Sequence, residues 1–220
     1  MAPPPESPSA LLSAILKLIQ GTIVPLTREG VASGSKVFGA AVLARSDLRP
    51  LSVATNNERL SPLLHGEVNC IQRFFTVDFP DPAARPDPRR DCLFFATHEP
   101  CSLCLSAIAW AGFGEFYYLF THDDSRSLFS IPHDIDILHE VFCVRAGETD
   151  GRLEGRPLYN RSNKFFEGHS LADIVVGIDD QAERQGWLNE IQHVKNMYSS
   201  LNQTYQEVKS AGMETSSVWK

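Results

Sequence analysis

The strongest constraint on the fold is an alternation of short apolar runs with helix-patterned segments through the first two thirds of the chain. Phe38 to Ala44 is a compact apolar run and Leu51 to Thr55 a second, with Asp47, Arg49 and Pro50 marking the turn between them. Asp91 to Thr97 and Glu115 to Thr121 are a third and a fourth, rich in aromatics. Runs of this length bounded by turn residues read as strands. Between them, Val68, Ile71, Phe74 and Phe75 give His65 to Phe75 a helical period. Pro100 to Ala111 reads as a helix with proline at its start, where a missing N–H costs nothing. A helix from Ser7 to about Thr22, carrying Leu11, Leu12, Ile15, Leu18 and Ile19, precedes the set, and one from Asp134 to Phe142 follows it. Strands alternating with helices predict an α/β sheet covered on both faces. The first two strands, tightly joined, pair antiparallel, and those joined through helices run parallel.

Beyond about Gly147 the pattern changes. Arg152, Arg156, Tyr159, Arg161, Lys164, Phe165 and Phe166 mix basic and aromatic residues in a loop-like stretch up to Gly168. Trp187, Ile191, Val194, Tyr198, Leu201, Tyr205 and Val208 then recur at spacings of three and four, predicting a long helix over Asp180 to Lys209. The expected organisation is a flexible tail over 1–7, one domain over 8–150, and an extension over 151–220. That extension packs either on the same domain or at a dimer interface.

A net charge of −7 gives the chain no global attraction for phosphate backbones or anionic membranes. This weighs against a polynucleotide as the main partner. The apolar stretch Leu11 to Ile19 is too short to cross a bilayer and is interrupted by Lys17. Met1 to Glu6 is proline-rich and lacks the basic region of a signal peptide. The five cysteines do not form a disulfide framework, and Cys70, Cys92 and Cys143 sit among apolar residues as packed thiols. The expected setting is reducing: cytoplasmic or nuclear, without secretion or a membrane.

Two short patterns carry chemistry: His65-Gly66-Glu67 and Pro100-Cys101-Ser102-Leu103-Cys104, each opening a predicted helix. Zinc favours thiolate and imidazole ligands, and a catalytic site takes three from the protein and leaves one position open. His65, Cys101 and Cys104 make such a set. The two cysteines lie one helical turn apart, so both thiols reach one point, and a helix N-terminus favours their ionised form. Glu67 is near enough to the open position to move protons without being a ligand. The pattern His-x-Glu … Pro-Cys-x-x-Cys is that of the zinc deaminases. Hydroxide, available at neutral pH beside zinc, attacks the ring carbon that bears the amine. Glu67 takes the water proton, protonates the ring nitrogen, and then protonates the leaving amine. The backbone N–H of Cys101 faces the developing oxyanion.

These residues resemble the cytidine deaminase superfamily over about residues 36 to 125. The His-Gly-Glu form is similar to fungal cytosine deaminases, and Thr97-His98-Glu99-Pro100-Cys101 to guanine and tRNA-adenosine deaminases. The resemblance implies a three-layer α/β/α sandwich around a mixed sheet, with a C-terminal helical extension added here, and Zn²⁺ as cofactor. It implies substrate contacts at Phe38, on the pocket-floor strand, at an asparagine ending the second strand, for which Asn56 is chosen over its neighbour Asn57, and at Asp123. His98, beside the zinc helix, is a candidate for stacking on a ring. It also implies a homodimer.

The function expected is hydrolytic removal of an exocyclic amine from a base, nucleoside or related heterocycle. Two alternatives stay open at this level: a deaminase of tRNA or single-stranded DNA, and a zinc-binding subunit that serves a partner without catalysis. A nucleotide deaminase, with Arg156 or Arg161 on the phosphate, shares the same chemistry.

Overall fold

The computed structural model describes residues 7–138, 159, 161–162 and 165–211. Helix α1 (Pro8–Leu18) starts on Ser7, whose hydroxyl accepts the N–H of Ala10, with Pro8 in the first turn. The helix does not stop near Thr22. A π-helical turn (Ile19–Ile23) carries it straight into α2 (Val24–Ala32). Pro25 has no N–H to give to the turn before it, and a π-turn just ahead of it is one way a helix absorbs that gap. The combined run Pro8–Ala32 is long and apolar enough to span a membrane by length and composition. Its apolar residues are nevertheless spent on the core: Leu12, Ile15, Ile19, Ile23 and Val31 are fully buried.

Strands β1 (Gly39–Ala44) and β2 (Pro50–Thr55) pair antiparallel, as the tight connection predicts. Helix α3 (Gly66–Arg73), ending in a π-turn (Phe74–Asp78), leads to β3 (Cys92–His98). Helix α4 (Ser102–Trp110) then crosses to β4 (Glu115–Phe120), which runs parallel to β3. Two helices that the sequence patterns leave out or displace follow, α5 (His122–Phe129) and α6 (His133–Ile137). The remainder of the helix expected to Phe142, and Cys143, lie outside the described residues. Strand β5 (Glu167–Ser170), then α7 (Leu171–Val176) and α8 (Gln181–Ser210), complete the chain.

Among the described residues the sheet order is β2-β1-β3-β4-β5, with β1 antiparallel to both neighbours and β3, β4 and β5 mutually parallel. Every residue of β1 and β3 is buried, as expected of strands covered on both faces. Ala40, Val42, Phe94 and Phe116 face α3 and α4 through Cys70, Ile71, Leu105 and Ile108. Ala41, Leu43, Phe95 and Leu119 face the other layer, built from α1, α2, α7 and α8. The fold is thus the expected three-layer α/β/α sandwich on a mixed sheet.

The stretch read as a loop up to Gly168 contains the fifth strand's start. Gly168 permits it: a Cβ there would lie 2.5 Å from the ring of Phe116. Helix α8 buries Ile191, Val194, Tyr198, Leu201 and Tyr205, the stripe read from its spacing, against this same core. Each such side chain contributes about 1.5–3 kcal/mol.

Candidate active site

The residues of interest gather where β3 and β4 end and β1 begins, the sheet edge at which α/β folds hold ligands. His65 occupies the N-cap of α3 and Cys101 the N-cap of α4, both with extended backbones, and Cys104 lies in the first turn of α4. The Nδ1 of His65 is 3.5 Å from the Cys101 sulfur and 3.6 Å from the Cys104 sulfur. The three ligand atoms lie within 4.8 Å of one another. A tetrahedral zinc with ordinary Zn–S and Zn–N bond lengths requires an N···S separation of about 3.6 Å. The His65 nitrogen therefore already stands from both sulfurs at the spacing zinc needs.

Gly66 explains how they meet. A Cβ at this position would lie 2.9 Å from the Cα of Gly39 and 3.0 Å from the carbonyl carbon of Phe38. The start of α3 thus presses directly on the backbone at the start of β1, which brings His65 and Glu67 to the strand edge. The Gly66 N–H donates to Asn56 Oδ1 at 2.6 Å, and the Asn56 N–H donates to the Phe38 carbonyl at 3.0 Å. The Nδ2 of Asn56 is buried without a hydrogen-bond partner among the described residues. It is a donor available to a ligand at the head of α3.

Glu67 is buried, at 5% exposure. Burial, with the neighbouring Cys101 charge second, pushes its carboxyl up to about 7, where it can both accept and return a proton. The Cys101 thiol is held well below its usual range, first by the hydrogen bond from Cys104 and then by His65, against the opposing effect of burial. Cys104 is held well above, by burial and by the adjacent Cys101. For His65, burial alone acts downward, and the hydrogen bond and charge of Cys101 more than reverse it, to about 9.

Other expectations come out differently. Phe38 is buried and its ring packs edge-on against His98, 4.4 Å between centroids. His98, read as stacking on a substrate ring, is instead taken up by the core. Phe120 covers one face at 4.7 Å, while Phe38, Phe129 and Tyr198 crowd it from other directions. Thr97 Oγ1 holds its Nδ1 at 2.9 Å.

Asp123 is exposed on the first turn of α5. Thr121 and Asp124 form a capping box there, so the segment is a helix start rather than a turn, and its inward residue is His122. His122 is 4% exposed, and its backbone N–H donates to Glu99 Oε2 at 2.9 Å.

Arg161 does not stand free for a phosphate: it donates to the Tyr118 hydroxyl at 2.9 Å and lies 3.4 Å from Asp173. Arg152 and Arg156 lie outside the described residues. Tyr159, from the basic-aromatic segment, donates to Glu99 Oε1 at 2.9 Å.

Spacing did not single out two further features, an acidic group beside the centre and a buried ion pair in the loops flanking the first two strands. Asp134 on α6 feels the charges of Cys101 and His65, and burial, ahead of Cys101, pushes its carboxyl up to about 7. Lys36 and Glu58 form a buried ion pair just before β1 and after β2.

The cytidine and deoxycytidylate deaminase zinc-binding region matches residues 22–120. Among solved structures, the chain is similar to guanine deaminase from Bacillus subtilis, at 24% identity and TM-score 0.47, over 67% of this chain and 85% of that one. It is similar to guanine deaminase from Nitrosomonas europaea at 15% identity and TM-score 0.44, over 88% and 85%. It is also similar to a dCMP deaminase from the cyanophage S-TIM5, at 17% identity and TM-score 0.35, over 70% and 97%. No curated protein matches the chain.

Proposed function

We propose, from the premise that this chain is a hydrolytic deaminase of the cytidine deaminase superfamily, that its substrate is a free base, nucleoside or related small heterocycle bearing an exocyclic amine. The observation that carries the reading is the triangle of His65, Cys101 and Cys104 at zinc spacing with the buried carboxyl of Glu67 beside it. Zinc held by these three ligands supplies an acidified water at neutral pH. With the metal bound, Glu67 would accept one water proton and pass it to the ring nitrogen, then take the second proton from the added hydroxyl and pass it to the departing amine. The balance is ring–NH₂ plus water to ring carbonyl plus ammonia. Asn56 orients the ring through its free Nδ2, and the Phe38 backbone, held by Asn56, shapes the floor.

A net charge of −7 supports a small ring over a polynucleotide, which needs a positive track. Cys70, Cys92, Cys101 and Cys104 are free thiols, in keeping with the cytoplasm. The reading includes a homodimer. Its support is the outer face of α4, where Trp110 is 91% and Leu103 40% exposed. The test is ammonia release by the zinc-loaded protein against aminated bases, nucleosides, nucleotides and single-stranded oligonucleotides. Turnover of one ring is expected. Turnover only of oligonucleotides would overturn the choice of substrate class.

A further inference from the structure

We infer that Lys195, on the C-terminal helix, is a positioning residue for the metal loop: through Asp124 it fixes the start of α5, on which the segment leading to Cys101 rests. The inference rests on zinc at His65, Cys101 and Cys104 and not on the identity of the substrate. Three observations converge. First, the Lys195 ammonium lies 2.7 Å from Asp124 Oδ2, and the two side chains are only 21% and 25% exposed. That same oxygen accepts the Thr121 N–H at 3.0 Å, and Thr121 Oγ1 accepts the Asp124 N–H at 3.1 Å. Lys195 thus holds the carboxylate that caps α5. Its ammonium also stands over the ring of Phe120, the residue before the cap, 5.3 Å from the ring centre.

Second, the cap is joined to the metal loop on both sides of Thr121. The Glu99 N–H donates to the Phe120 carbonyl at 2.7 Å, and the His122 N–H donates to Glu99 Oε2 at 2.9 Å. Glu99 stands two residues before Cys101, with Pro100 between them. Pro100 has a fixed φ, so an orientation set at Glu99 is passed on to the ligand. Removing the ammonium leaves a largely buried carboxylate without its cation, which favours a shift of the α5 start toward water.

Third, the same face of α8 holds the far end of α5. Asn202 Nδ2 donates to the Leu128 carbonyl at 2.9 Å and Gln206 Nε2 to the Phe129 carbonyl at 3.1 Å, among the last carbonyls that a helix leaves unpaired. Residues 195, 202 and 206 recur at spacings of seven and four, beside the buried Tyr198, Leu201 and Tyr205. Helix α5 is therefore held at both ends, and it is the Lys195 end that leads to a metal ligand. The helix that does this lies outside residues 22–120, the zinc-binding region.

The test replaces zinc with cobalt(II) and reads the visible absorption of the full chain, together with zinc affinity in competition with a chelator. Lys195→Met keeps the stem over Phe120 and removes the charge. Asp124→Asn keeps an oxygen for the Thr121 N–H and removes the ion pair from the other side. Both are expected to shift the thiolate-to-cobalt bands and to weaken zinc about tenfold, the scale of losing a group that orients a ligand. Lys195→Arg is expected to restore both. Gln206→Leu, which releases the far end of α5, is the control for stability alone: it lowers the unfolding temperature and leaves the cobalt spectrum and zinc affinity as in wild type. Wild-type bands and affinity in Lys195→Met would overturn the proposal, and so would an equal loss in Gln206→Leu. If Lys195→Met does not fold, Asp124→Asn decides by the same two readouts. Neither readout needs turnover, so a protein that releases ammonia from no ring overturns the substrate reading alone.

Discussion

Replacing Gly66 with alanine tests how the site is assembled. The added Cβ would sit 2.9 Å from Gly39 Cα and 3.0 Å from two more backbone atoms, whereas ordinary contact begins at 3.4 Å. Backbone cannot rotate away as a side-chain end can, so α3 and β1 must part by about 0.5 Å. Metal distances tolerate about 0.2 Å, and catalytic constellations about 0.5 Å before rates fall. Overpacking costs about 1–3 kcal/mol, against at most about 1 kcal/mol gained from replacing glycine in a helix. The expected result is a net loss of about 1–2 kcal/mol in unfolding free energy. Zinc is expected to bind at least tenfold more weakly, and kcat/KM to fall tenfold or more. Gly186→Ala is the control, because nothing lies within 4 Å of that Cβ in mid-α8, and it is expected to stabilise by about 0.5–1 kcal/mol. The assays are thermal and denaturant unfolding, zinc content after competition with a chelator, and turnover. Full zinc affinity and unchanged kcat/KM in Gly66→Ala would refute the close approach as the device that builds the site.

Two further outcomes follow from the titrating groups. Burial, with the Lys195 charge second, holds His98 well below its usual range, so it stays neutral in the folded protein and takes up a proton only on unfolding. Stability is therefore whole above about pH 6.5 and declines below it by up to about 1.4 kcal/mol per pH unit from this residue. His98→Phe is expected to flatten the profile between pH 6.5 and 5.5, measured by denaturant unfolding, and an identical slope in both proteins would contradict this. In the metal-free protein His65 is raised to about 9 and Cys104 is held well above its usual range, toward the protonated forms, while Cys101 is held well below, toward the thiolate. Zinc binding should then release about two protons, read by calorimetry in buffers of different ionisation enthalpy, and release of fewer than one would contradict it.

The parts of this molecule that announce themselves in sequence are those governed by local rules. His65, Glu67, Cys101 and Cys104 are legible because metal geometry demands fixed residue types at helix-turn spacing. Strands β1, β3 and β4 are legible because burial on both faces demands near-continuous apolar runs, and the half-buried β2 because turn residues bound it. What escaped depends on partners remote in sequence. Helix α2 is hidden by Pro25, which normally ends a helix and here follows a π-turn. Strand β5, Glu-Gly-His-Ser, has no apolar pattern at all and exists because β4 pairs with it and Phe116 needs a neighbour without a Cβ. That His122 rather than Asp123 faces inward turns on one residue of helical phase, set by the Thr121–Asp124 capping box. His98 lies beside the zinc helix in sequence, but Phe120, Phe129 and Tyr198, from three other elements, claim its ring. Asp134 reaches the site only through the fold of the segment after α5.

The central claim is that the His65, Cys101 and Cys104 triangle and Glu67 together make a hydrolytic centre. Its most direct test is ammonia release by wild type and Glu67→Ala, both carrying one zinc per chain. The account predicts turnover of an aminated ring by wild type and a loss of at least about 10²-fold in the variant, with zinc retained. Equal ammonia release by the two proteins would contradict it.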